Sequence, residues 1–126
     1  MVERDPQLER LSLGHLQLPA EKPAELARWY AEQLDFKVHG LHMRSGGSLI
    51  VFVEGNPLQN KQVHFGFRLS SKEAVLIWHR DLKRKNLSLG EMEGNELYQA
   101  FRIHDPEGNE IEFFWQETPS HFGIGA

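Results

Sequence analysis

Apolar and polar positions in this chain change period several times, and each change marks a new element. LSLGHLQL, residues 11–18, has strand character. Helical periodicity follows, with Leu26, Trp29, Tyr30 and Leu34 at i, i+3, i+4 and i+8. Pro23 stands near the start of that helix, where its missing N–H does no harm. DFKVHGLHMR and SLIVFVEG read as strands, joined by a turn at Ser45-Gly46-Gly47-Ser48. EGNPLQNK interrupts the pattern as a loop, and QVHFGFRL resumes it as a strand. Ser70 and Glu73 fit a capping box that opens a second helix. That helix runs to about Lys85, with Val75, Trp78 and Leu82 on one stripe. NLSLGEM, ELYQAFRIH and GNEIEFFW read as three more strands. HDPEGN is the turn between the last two.

The order is strand, helix and three strands, then the same again. The interval from His15 to His64 equals that from Trp29 to Trp78. Leu16 and Leu18 fall on Phe65 and Phe67 at the same offset. Towards the back of each half Gly47 aligns with Gly108 at a wider offset, as longer loops would require. A duplicated unit explains this register. The two modules cover about 11–55 and 61–116, within one domain spanning 1–126. A polar arm, 1–9, precedes them, and a Gly-rich tail, 118–126, is expected to be flexible.

Strand parity separates the core from the candidate chemistry. Val63, Phe65, Phe67 and Leu69 face one way, and Gln62, His64, Gly66 and Arg68 the other. Ile111, Phe113 and Trp115 share one face of the last strand, opposite Glu110, Glu112 and Phe114. His64 and Glu112 therefore each lie opposite an apolar face. His15 is less clear, because Leu11 and Leu13 share its face. In the strand beside Glu112, Tyr98, Ala100, Arg102 and His104 form the more polar face. Tyr98 or His104 could transfer protons, and Arg102 could clamp an anion. The plain alternative for each is a polar residue on a half-exposed antiparallel strand. His39, His42 and His79 are expected to be solvated. HRDLKRKN reads as the solvated end of the second helix, with favourable charge for the helix dipole.

Composition narrows the classes. The 126 residues suit one domain with a core of its own. The absence of Cys excludes disulfides, thiolate metal sites and a cysteine nucleophile. A net charge of -4 with interleaved signs argues against nucleic acid as a partner. No apolar run spans a bilayer, and MVERDPQLER lacks a signal core, so a cytoplasmic protein is expected. If His15, His64 and Glu112 meet on one face, two imidazoles and a carboxylate would leave open positions on a divalent metal.

LSLGHLQL, ARWYAEQLDFKV and HDPEGNEIEFF together resemble the vicinal oxygen chelate superfamily. Its members include glyoxalase I, extradiol dioxygenases, fosfomycin-resistance enzymes and bleomycin-binding proteins. The resemblance covers roughly residues 11–116. It implies an α+β fold in which two βαβββ modules form a curled mixed sheet around a metal-binding cleft. It also implies His15, His64 and Glu112 as ligands of a divalent ion (Fe, Mn, Ni, Co or Zn), with Tyr98, Arg102 and His104 as catalytic candidates. A homodimer is implied as well. If its halves are exchanged, His15 would come from one chain and His64 with Glu112 from the other.

Particular relatives fit less well. Glyoxalase I typically has a second ligand Glu near the end of the first half, where this chain offers Ile50 and Val51. Extradiol enzymes typically carry a Tyr at the position held here by Arg102. The Lys and Ser residues that hold phosphonate in fosfomycin-resistance enzymes have no clear match in LGEMEGNELYQA. Two readings remain. One is a metal-dependent dioxygenase, lyase or isomerase acting on a chelating, oxygen-rich small molecule. The other is a metal-free binding or sequestration protein of the bleomycin-resistance type, with an aromatic pocket from Phe52, Phe114 and Trp115.

Overall fold

Each helical stripe of the sequence lies on its own four-stranded sheet. The computed structural model describes residues 5–57 and 63–117. Its elements are β1 (Leu16–Ala20), α1 (Pro23–Leu34), β2 (Lys37–His39), β3 (His42–Ser45), β4 (Ser48–Glu54), β5 (His64–Arg68), α2 (Lys72–Arg84), β6 (Glu93–Asn95), β7 (Tyr98–His104) and β8 (Glu110–Gln116). The βαβββ order occurs twice. The sheets run β1-β4-β3-β2 and β5-β8-β7-β6. In both, the first strand pairs parallel with the last, and the other pairings are antiparallel. α1 and α2 begin at Pro23 and Lys72, the same interval that separates His15 from His64, so the repeat survives in the fold.

Several boundaries differ from the sequence reading. β1 starts at Leu16 instead of residue 11. Leu16 pairs with Ile50, so β4 begins opposite Gly14 and offers residues 11–13 no partner. DFKVHGLHMR folds back on itself as β2 and β3, with Gly40 at φ 62 in the turn. The cap of α2 is Ser71, whose hydroxyl accepts from the Ala74 N–H at 3.1 Å, one residue later than expected. NLSLGEM is not a strand; Leu87, Leu89 and Met92 pack on the core, and the short β6 begins at Glu93. The mixed sheet is divided into two four-stranded halves, with β1 and β5 at their edges. The tail 118–126 lies outside the described residues.

The core follows the parity. Leu18, Ile50, Phe52 and Met43 meet Leu26, Ala27, Tyr30 and Leu34 of α1. Ile111, Phe113, Phe101 and Ile103 meet Val75, Trp78 and Leu82 of α2, with the rings of Phe101 and Phe113 stacked at 5.0 Å. Each such side chain stabilises the fold by roughly 1.5–3 kcal/mol through burial. The modules share this core, because Phe36 of the first meets Phe67 of the second at 5.6 Å.

Polar ties reinforce that junction. The buried Tyr30 hydroxyl donates to Asp105 Oδ2 at 2.7 Å. Glu107 accepts from the N–H groups of Glu21 and Lys22 at 2.7 and 3.1 Å, and so caps α1, whose own N-cap makes no side-chain bond. Lys85 Nζ donates to the carbonyls of Glu32 and Gln33, at 3.4 and 3.0 Å, near the other end of α1. Lys85 therefore does more than decorate a solvated helix face.

Candidate functional site

β5, β8 and β7 lie side by side and turn alternate residues away from α2. Register then places the chemistry in rows. His64 pairs with Glu110, which pairs with His104. One row on, Gly66 pairs with Glu112, which pairs with Arg102. Arg68, Phe114 and Ala100 form the next row, and Tyr98 lies beyond, opposite Gln116. The absence of a side chain at Gly66 matters here, since a Cβ there would lie 2.9 Å from the Phe114 ring. That ring leans across β5, with the Arg68 guanidinium 5.1 Å from its centroid.

The centre of the face is a half-exposed imidazole between two carboxylates. His64 Nδ1 lies 2.6 Å from Glu110 Oε1, and His64 Nε2 lies 3.0 Å from Glu112 Oε1. Carboxylates only accept, so a proton or a cation must lie at each of these contacts. Arg102 stands 4.0 Å from Glu110 and 3.9 Å from Glu112, and His104 stands 3.7 Å from Glu110. The hydrogen bond from His64 holds the Glu110 carboxyl below its ordinary range, helped by the charges of Arg102 and His104 and opposed by partial burial. Tyr98 donates to Glu93 Oε2 at 3.2 Å; burial and that acceptor raise its pKa.

The separation of His64 Nε2 and Glu112 Oε1 suits a divalent ion, because two bonds of about 2.1 Å at right angles put their donors about 3 Å apart. The third expected donor is not with them. His15 lies in extended chain just before β1, exposed to solvent. It lines a hollow of about 120 Å³ with Leu16, Ile50, Phe65 and Gly66. Among the described residues no three His, Asp or Glu side chains form a group able to hold a metal ion. Of the three residues expected to converge, the fold brings His64 and Glu112 together and leaves His15 apart.

Of the residues marked in the sequence, the fold brings His64, Glu112, Arg102 and His104 together, with Tyr98 further along the same face. Glu110 belongs to this group too. Its signal was its place two residues before Glu112, on the same face, but the sequence reading gave it no role. The proposed aromatic pocket does not form. Phe52 is fully buried in the core, and Trp115 lies on the α2 side under Lys72, which leaves only Phe114 of the three on the open face. His79, expected to be solvated, is half-buried edge-on against Phe101 at 5.0 Å. A hollow of about 480 Å³ runs beside α1 between Glu21, Trp29 and Glu107 and touches none of this group.

Residues 12–113 match a model of the Glyoxalase/Bleomycin resistance protein/Dioxygenase superfamily. No curated protein matches the chain. Solved structures share the fold at low identity. A lactoylglutathione lyase from Agrobacterium tumefaciens has a TM-score of 0.68 at 16% identity, over 82% of this chain and 92% of that one. TnmS3, an antibiotic binding protein from Streptomyces sp. CB03234, has a TM-score of 0.65 at 11% identity, over 88% of this chain and 100% of that one. An oxidase, ChaP-H1, has a TM-score of 0.65 at 17% identity, over 85% of this chain and 97% of that one.

Proposed function

The chain belongs to the Glyoxalase/Bleomycin resistance protein/Dioxygenase superfamily, and we propose that it is a metal-dependent enzyme acting on a small, oxygen-rich, anionic substrate on the open face of β5, β7 and β8. The observation that carries this reading is the 3.0 Å approach of His64 Nε2 to Glu112 Oε1. These two side chains would hold a divalent ion, with His15 as the third donor. A bound ion would supply Lewis acidity towards a substrate oxygen. Around it, Arg102 would bind an anionic group of the substrate, and Phe114 would floor the site. Tyr98, its pKa raised, would keep its proton at neutral pH and serve as a donor. His104 is the remaining candidate for proton transfer.

We place His15 on a second copy of the chain, in a cytoplasmic homodimer of one-domain subunits. What supports this is the segment that leads into His15. Leu11 and Leu13 are 100% and 85% exposed there, left uncovered by the described residues. Covering them would favour association.

The second reading, a metal-free small-molecule binder, is favoured by one observation: the described residues contain no complete three-donor group. Metal content and melting curves decide between the two. At ~100 times its dissociation constant, a metal that binds only the folded state adds about 2.7 kcal/mol, or roughly 8–16 °C in Tm. Glu112→Gln should abolish most of that shift, and His15→Ala should lower it. Protein that carries no metal and shows no shift with Fe(II), Mn(II), Co(II), Ni(II) or Zn(II) would leave the binding reading.

A further inference from the structure

We propose that Glu110 is a positioning residue: through Nδ1 it fixes the His64 ring in the orientation that turns Nε2 onto Glu112. The inference rests on the reading of His64 and Glu112 as metal donors and extends it to a residue outside the donor set.

The geometry is specific. Glu110 grips the start of β5 twice. Its backbone N–H donates to the Val63 carbonyl at 3.0 Å, one residue before His64. Its side chain takes His64 Nδ1 at 2.6 Å, a distance typical of a charge-assisted bond. The strand pairing sets both contacts, since His64 and Glu110 are directly opposite in the parallel ladder. Glu112, two residues on, meets the other ring nitrogen. The imidazole is therefore held from both flanks, and rotation about its Cβ–Cγ bond would break both contacts.

Glu110 is itself held in place. Oε1 faces Arg102 at 4.0 Å as well as His64, and Oε2 faces His104 at 3.7 Å. Its own position argues against a direct ligand role, because it sits on Nδ1, the nitrogen turned away from Glu112. A carboxylate on the outer nitrogen of a ligand histidine orients the ring and raises its basicity, and removal of such a partner commonly costs 10–100-fold in metal affinity.

The experiment compares the full chain with Glu110→Ala and Glu110→Gln. One readout is the dissociation constant for Zn(II) or Ni(II) by calorimetry. The other, on metal-free protein, is the exchange rate and chemical shift of the His64 Nδ1 proton by NMR. Glu110→Ala should weaken metal binding 10–100-fold and speed exchange of that proton. Glu110→Gln should recover part of both, because an amide oxygen still accepts from Nδ1. Melting of the metal-free variants controls for loss of fold. Wild-type affinity in Glu110→Ala would overturn the inference and leave the metal reading standing. If the wild-type chain binds no metal, the metal reading fails, and the NMR readout decides alone: an unchanged His64 proton in Glu110→Ala overturns the positioning role, and a loosened one supports it.

Discussion

The Tyr30 hydroxyl reaches from α1 in the first module to Asp105, in the turn that leads into β8 of the second, at 2.7 Å. Asp105 is a hub. Its Oδ1 accepts from the N–H groups of Glu107 and Asn109, and its Oδ2 accepts from the Asn109 side chain as well as from Tyr30. The turn that precedes Glu110 and Glu112 is thereby anchored to the other module. Tyr30→Phe leaves the ring in place and removes only the donor, so it should destabilise the protein by about 1.5–3 kcal/mol, the range for a hydrogen bond to a charged group. Denaturant melts at pH 7 test this. A negligible change would mean that the Asn109 amide and water satisfy Asp105 without Tyr30.

The same pair sets an alkaline response. Burial raises the Tyr30 pKa well above 10, and the Asp105 carboxylate raises it further. Folding therefore favours the neutral phenol. The contribution is complete below the unfolded value of about 10 and is lost as pH rises from there towards the folded value. Wild-type stability should fall across that alkaline window, and Tyr30→Phe should fall less steeply. Parallel slopes for the two proteins would defeat this assignment.

Two glycines make different demands. A Cβ at Gly66 would lie 2.9 Å from the Phe114 ring, and one at Gly94 would lie 2.6 Å from the Tyr98 carbonyl oxygen. The ring borders an open face and can swing away; the carbonyl belongs to the β6–β7 ladder and cannot move without it. Gly94→Ala should thus cost more stability than Gly66→Ala, whose expected cost is below about 1 kcal/mol because Ala also suits a strand better than Gly. Gly66→Ala should instead move the Phe114 ring and its Arg68 partner, seen as shifted Phe114 ring resonances. The reverse order of stabilities would count against this account.

The sequence carried the helices, the turns at Ser45–Ser48 and in HDPEGN, and the duplicated order, because period and turn chemistry are local properties; it missed the turns within DFKVHGLHMR and between β6 and β7. Parity alone was enough to put His64, Glu112, Arg102 and His104 on one face. It could not give the register between β5 and β8, which belongs to a parallel pair joined by a long crossover through α2, β6 and β7. That register is what puts Glu110 directly opposite His64, so the role of Glu110 was hidden while its parity was visible. His15 shows the converse limit. Its run has strand character, but β4 offers no partner to residues 11–13, and the pairing itself begins only at Leu16, one residue after His15. Phe52 and Trp115 were grouped with Phe114 for their aromaticity, although the parity of Trp115 already pointed to α2.

Arg102 offers the last test, and here the structure changes the expectation. The sequence suggested a clamp for an anion. Its guanidinium stands within 4.0 Å of both Glu110 and Glu112, where it balances their charge. A divalent ion on His64 and Glu112 would meet this cation at close range. At ~6 Å in water a single and a double charge repel by about 1.4 kcal/mol, and ~0.1 M salt reduces this to about 0.7 kcal/mol. Arg102→Ala should therefore tighten Zn(II) binding roughly 3-fold in ~0.1 M salt, an effect that shrinks at higher ionic strength. The same variant should bind phosphate or oxalate more weakly, because the anion loses its charged partner. Calorimetric titrations of metal and anion at low and high salt separate the two effects. Unchanged or weaker metal binding in Arg102→Ala would show that the ion sits away from Glu112, or that Arg102 supports the donors instead of competing with the metal.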